Sequence, residues 1–312
     1  MRIATFPTSD VSCSALSSEL NEPLIGTATR VDSWFLLEYP GPWRSKATVD
    51  NELARPVQSW LDRLVESAPA GRLQFIKQPQ KRSNVGRGVA FFIAFARDEE
   101  ARLFRLDAPS YEALLEIDTA AVLAGEAPPG AMRVPEPLFL VCTNGRRDRC
   151  CALHGVTLYE KLSAQVGDAV WQTTHLGGHR FAPTVLTLPD GYLYGRLSVE
   201  QASQFIVARS RGELILDHVR GRTRYEGVVQ AADMLLRRET GEKQIDAYQL
   251  LTLDALAAGN EWRVRFLTTA TGEIQQLYVR GKALDLDLLD SCGKPRNKPV
   301  IRYELRSHQA YS

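Results

Sequence analysis

Three of the chain's five cysteines fall within CTNGRRDRCC, Cys142 to Cys151, and two of its five histidines, His175 and His179, follow in HLGGHR. Thiolate and imidazole are the ligands that hold zinc and iron. Two of each complete a donor set for a tetrahedral zinc ion or for a [2Fe–2S] cluster. Cys142 pairs across eight residues with Cys151, or across seven with Cys150. Zinc fingers usually space a cysteine pair by only about two to four residues. The longer gap suits a loop that carries one sulfur over a larger group. His175 and His179 stand four apart, a spacing that one helical face could carry. The two glycines between them would each cost about 1 kcal/mol inside a helix, so the stretch reads as a loop whose backbone comes close to a bound group. A lone buried cysteine is commonly a small hydrophobe, the reading given to Cys13 and Cys292. His154, His218 and His308 read as ordinary hydrogen-bonding histidines.

The elements around these residues place them. PLFLVCT reads as a strand ending at Cys142, CCALHGVTLYEKLSAQVG as the helix after it, and AVWQTTHL as a strand ending at the histidines. The ends of neighbouring parallel strands meet in space, so the four residues converge. TVLTLPDGYLYGRLS reads as a hairpin turned at Pro189-Asp190-Gly191, and SVEQASQFIVARSRG as a helix capped by Ser198. The preceding half has the same order: the strand SWFLLEYPG, a helix with Leu53, Val57, Trp60, Leu61 and Leu64 on one face, strands RLQFIKQ, GVAFFIAFA and ARLFRLD, then the helix SYEALLEIDTAAVLAG capped by Ser110. Pro-rich EAPPGAMRVPEP divides the halves.

The expected fold class is α/β: two thioredoxin-like domains in tandem plus a small α+β C-terminal region. The βαββα order supports the thioredoxin core. The expected boundaries are an extended N-terminal arm over 1–30, a ligand-free domain over 31–125, the ligand-bearing domain over 126–225, and a tail over 226–312. In the tail, 226–240 and 246–258 read as helices, EWRVRFLTTATGEIQQLYVRG as a hairpin turned at Thr271-Gly272, and PVIRYEL as a strand.

The 312 residues are 44% hydrophobic and 24% charged, with a net charge of +1. That length accommodates two or three domains, and that charge gives no pull toward nucleic acid or anionic membrane. The N-terminus lacks an apolar signal region, and no run of about 18 apolar residues could cross a bilayer. A soluble, cytoplasmic protein is expected. In such a reducing compartment, clustered cysteines bind metal or do redox work more often than they form structural disulfides.

CTNGRRDRCCALHG followed by HLGGHRFA resembles the sucrase/ferredoxin-like family, a branch of the thioredoxin-like [2Fe–2S] ferredoxins. EPLIGTA near residue 22, WFLLEYPGPW from Trp34 and DSCGKP in the tail resemble it too. The resemblance implies a [2Fe–2S] cluster held by Cys142, Cys151, His175 and His179, with Cys150 beside the ligand set. Related thioredoxin-like ferredoxins carry Cys-x3-Cys where this chain has His-x3-His, which favours the cluster over zinc. Pro183 departs from the small residue common there. The family name also implies sucrose cleavage, which needs a pair of carboxylates about a sugar. No Asp or Glu spacing singles out such a pair.

The expected function is therefore electron transfer, coupled to protons through the histidines. The alternative is a zinc-stabilised binding module on the same four residues. Neutral imidazoles in place of two thiolates raise the reduction potential above that of all-cysteine clusters. Arg146, Arg147, Arg149 and Arg180 lie beside the predicted ligands and could steer an unidentified acidic redox partner.

Overall fold

The computed structural model describes residues 11–79, 88–96, 101–257 and 259–311. Chain order begins α1 (Cys13–Glu19), β1 (Ser33–Glu38), α2 (Arg55–Ser67), β2 (Gly71–Lys77), β3 (Val89–Phe95), β4 (Arg102–Ala108), α3 (Thr119–Ala124) and β5 (Met132–Arg133). It continues with β6 (Leu138–Cys142), α4 (Arg149–Val166), β7 (Val170–Thr173), β8 (Thr184–Leu188), β9 (Tyr192–Gly195), α5 (Ala202–Ser210) and β10 (Val219–Arg222). It closes with α6 (Gly227–Thr240), β11 (Tyr248–Ala255), β12 (Glu261–Thr268), β13 (Ile274–Leu284), β14 (Leu289–Ser291), β15 (Lys294–Pro295) and β16 (Val300–Tyr311).

The architecture is mixed α/β. Strands β1 to β10 form one continuous sheet in the order β10-β9-β8-β6-β7-β2-β1-β3-β4-β5. Its two sides repeat a pattern. β1 pairs parallel with β2 and antiparallel with β3, which pairs antiparallel with β4. β6 does the same with β7, β8 and β9. The sides meet where β2 and β7 pair antiparallel through Ile76↔Thr173 and Lys77↔Gln172.

Successive strand side chains alternate between faces, and here they enter different cores. Phe35, Leu37, Phe75, Phe91 and Ile93 pack on Val57, Trp60, Leu61 and Leu64 of α2. Phe139, Val141, Val185 and Tyr194 pack on Leu158 and Leu162 of α4 and Phe205 of α5. The alternate positions, including Leu36, Ile76, Phe92, Leu140, Trp171 and Leu186, form a third core across both sides of the sheet. Phe92 and Trp171 meet edge-on there at 5.7 Å. Each such side chain contributes about 1.5–3 kcal/mol on burial, so the two sides stabilise one another.

β11, β12, β13 and β16 form a second, antiparallel sheet packed on α6. The segment between β13 and β16 does not stay with that sheet. Its β14–β15 hairpin returns to α1, burying Leu288 against Leu16 and setting Cys292 beside Cys13. Among the described residues, no helix is long and apolar enough to cross a membrane.

The structure corrects four local expectations. The arm is not wholly extended: Ser12 accepts from the Ala15 amide and starts α1, while residues 1–10 lie outside those described. The helix expected from Ser110 is broken, because Asp118 accepts from the Ala120 and Ala121 amides and caps a new helix. α5 begins at Ala202, since the Ser198 amide donates to the Gln201 side chain and Ser198 caps nothing. The stretch expected as a helix over 246–258 is the strand β11; residue 258 lies outside those described.

Candidate metal centre

Cys142 ends β6, and the chain then crosses Thr143 to Arg147 into α4. Asp148 caps that helix by accepting from the Cys150 amide at 2.9 Å. The cap sets Cys150 and Cys151 in the first turn, about 100° apart around the axis, so they face different neighbours. Cys151 turns toward Cys142 and His175, and their donor atoms lie within 4.8 Å of one another. His175 Nδ1 is 4.0 Å from the Cys142 sulfur and 3.7 Å from that of Cys151. Gly155 permits this convergence: a Cβ there would stand 2.1 Å from the Cys142 carbonyl oxygen.

The histidine loop is held by groups distant in sequence. Gly177 and Gly178 have φ of 97° and 73°, backbone that side-chain-bearing residues avoid. Buried Arg220 donates to the Gly177 carbonyl at 2.8 Å and to Thr27 at 2.6 and 3.1 Å. Burial pushes its guanidinium down to about 9. Arg72, from β2, donates to the His175 carbonyl at 2.7 Å. Burial pushes Arg72 down to about 10, against the pull of nearby Cys142. Arg180 pairs with buried Glu22 at 2.6 Å. EPLIGTA thus supplies Glu22 and Thr27 to brace the loop. Sequence reading found the motif without its mechanical role, and it missed Arg72 and Arg220. The Ala182–Pro183 and Leu188–Pro189 peptides are cis.

His179 stacks on His175 with centroids 4.9 Å apart and is buried, whereas His175 is half-buried. His179 Nε2 contacts the Asp290 carbonyl. A carbonyl only accepts, so Nε2 carries the proton and Nδ1 keeps a lone pair. That Nδ1 is buried and, among the described residues, has no hydrogen-bond partner. A buried, unpaired acceptor is costly unless a metal takes the lone pair. The structure gathers the Cys142 and Cys151 sulfurs and the His175 nitrogen into one group and leaves His179 outside it, joined through its stack on His175; two sulfurs and two imidazoles are donor types that suit a zinc ion or a [2Fe–2S] cluster. The hydrogen bond from Cys151, helped by His175 and the Leu176 amide, outweighs burial and holds Cys142 well below the ordinary thiol range. Cys151 is pushed up by the same hydrogen bond and by burial. Burial and His175 push the His179 imidazole down, against the pull of Asp148.

Arg146, Arg147 and Arg149 are exposed on the rim, whereas the Arg180 charge is matched internally by Glu22. Beside His175 opens a cavity of about 460 Å³, lined by Lys46, Asp62, Arg72, Asn144 and Arg147 among others.

The profile of the sucrase/ferredoxin-like family matches residues 24–221, the span of the sheet and both predicted ligand pairs. No curated protein matches the chain. Among solved structures, a thioredoxin-like [2Fe–2S] ferredoxin from Aquifex aeolicus matches with 16% identity and a TM-score of 0.25, over 28% of this chain and 91% of its own. The chain belongs to the sucrase/ferredoxin-like family.

Proposed function

We propose that this chain is an electron carrier whose [2Fe–2S] cluster is held by Cys142, Cys151, His175 and His179. The observation that carries the reading is the convergence of the Cys142 and Cys151 sulfurs with the His175 nitrogen, against whose ring His179 stacks with a buried Nδ1 that has no partner among the described residues. When bound, the cluster takes up and returns one electron. The residues do the rest. Cys142 and Cys151 fix one end from β6 and α4, and His175 and His179 fix the other from the glycine loop. The two imidazoles add no negative charge, which places the potential above that of all-cysteine clusters. His175 lines the open cavity and exchanges the proton that accompanies the electron, while His179 is sealed beneath the Asp290 carbonyl. Arg146, Arg147 and Arg149 form the docking rim for an acidic redox protein; Arg180 serves to brace the loop instead.

The repeated strand pairing supports reading the sheet as two thioredoxin-like units, 31–125 without ligands and 126–225 with them. None of the five cysteines is in a disulfide, which suits a reducing, cytoplasmic setting. The test is an absorption spectrum of the purified protein with iron and acid-labile sulfide analysis. A red-brown protein with iron and sulfide in equal amounts is expected. Cys142→Ala and Cys151→Ser lose the chromophore and Cys150→Ser keeps it. A colourless protein with zinc and no iron would instead make the chain a zinc-stabilised module.

A further inference from the structure

Cys13 and Cys292 lie 279 residues apart in sequence, yet both sulfurs meet the remaining cysteine, Cys150, in the fold. The Cys150 sulfur is 3.6 Å from that of Cys13 and 3.4 Å from that of Cys292. The Asp148 carboxylate closes the group, with Oδ1 3.4 Å from the Cys292 sulfur and 3.7 Å from that of Cys13. All four donor atoms lie within 4.8 Å of one another, and the three other than Cys292 are buried. A disulfide needs sulfurs about 2.05 Å apart. Zinc–sulfur bonds of about 2.3 Å in a tetrahedron set sulfurs about 3.8 Å apart. The observed spacing is that of ligands around one small ion.

We propose that Cys13, Cys150, Cys292 and Asp148 form a second metal site, a tetrahedral zinc site distinct from the cluster ligands. Three thiolates and one carboxylate are a zinc donor set. Cys150 and Cys292 amides also donate to the carboxylate, at 2.9 and 2.8 Å, and fix its orientation as groups behind a metal ligand do. Each cysteine comes from a different element: α1, the first turn of α4, and the turn between β14 and β15. The ion therefore ties both terminal regions of the described fold onto the helix that carries Cys151. The clamp also covers the first site, because His179 Nε2 is 3.8 Å from Asp148 and bonds to Asp290, two residues before Cys292. The adjacent cysteines thus divide their work, Cys150 for zinc and Cys151 for iron.

The test is elemental analysis of full-length protein. About one zinc per chain is expected beside the iron. Cys13→Ser and Cys292→Ser should lose the zinc and keep the iron and the visible spectrum, whereas Cys142→Ala should do the reverse. Zinc-free wild-type protein overturns the proposal. So does zinc that survives both serine variants, or iron lost with Cys13→Ser in place of zinc. Iron failing in every variant while zinc follows Cys13 would refute the electron-carrier reading alone. If a serine variant does not fold, wild-type protein stripped of zinc with its visible spectrum intact is titrated with cobalt(II). Sulfur-to-cobalt charge-transfer and tetrahedral ligand-field bands that zinc bleaches support the site, and their absence overturns it.

Discussion

Replacing Gly155 by alanine sets two effects against each other on one helix. Alanine is the better helix former by about 1 kcal/mol, so propensity alone stabilises the variant. The added Cβ would stand 2.1 Å from the Cys142 carbonyl oxygen and 3.1 Å from its carbon. Non-bonded atoms rest at about 3.5 Å or more, so α4 and β6 must part by about 1.4 Å to clear that oxygen. Both partners are backbone, and no side chain can rotate away. Forced separation of a packed layer costs about 1–3 kcal/mol. With a contact this short the cost lies at the upper end, leaving a net loss of about 2 kcal/mol after the propensity gain. The same displacement separates Cys142 from Cys151, so iron content falls with stability. Urea unfolding of the purified variant, with iron measured per chain, reads both. Ala164→Gly, exposed on the same helix, calibrates propensity without the clash. A Gly155→Ala protein at least as stable as wild type and fully loaded with iron would refute the reasoning.

Two further outcomes concern pH. Burial raises Tyr192 from 10 to about 12, so unfolded chains ionise first. Its contribution is complete below pH 10 and is lost as pH rises through about 12, a fall of about 2.7 kcal/mol at about 1.36 per unit; Tyr192→Phe removes that alkaline loss, and denaturation series at pH 9 to 12 on both proteins would disprove this by running in parallel. If the proposed cluster couples electron uptake to a proton, the reduction potential should fall as pH rises, by up to about 59 mV per unit for one electron and one proton; voltammetry should find a flatter slope in His175→Cys, and a wild-type potential independent of pH would refute the coupling.

The first candidate group was legible because its residue types are rare and Cys142 and His175 sit at or just past strand ends that the hydrophobic pattern reveals. Cys142, Cys151 and His175 converge, and His179 stacks on His175 outside that group. The company of Cys13 and Cys292 was not legible, for each is a lone cysteine and only the return of β14–β15 to α1 joins them. Arg72 and Arg220 were hidden for a related reason: their partners are backbone carbonyls, and any sequence supplies those. β11 imitated a helix because Leu250, Leu253 and Leu256 recur every third residue. A register shift between Leu250 and Thr252 breaks the strand alternation that would have corrected the reading.

The junction of β2 with β7 is also a matter of symmetry. Each is the outer strand of its own four-strand set, and they join antiparallel, as two copies related by a two-fold axis would. The chain thus encloses within itself the contact by which separate sheets dimerise. One consequence is asymmetry of duty: the partner that would have repeated the cysteines and histidines instead supplies Arg72 to the loop that bears them. Another is protection. Cut free, residues 126–225 would expose β7 as a bare strand edge whose nearest match is another β7. The side without ligands is the permanent occupant of that edge.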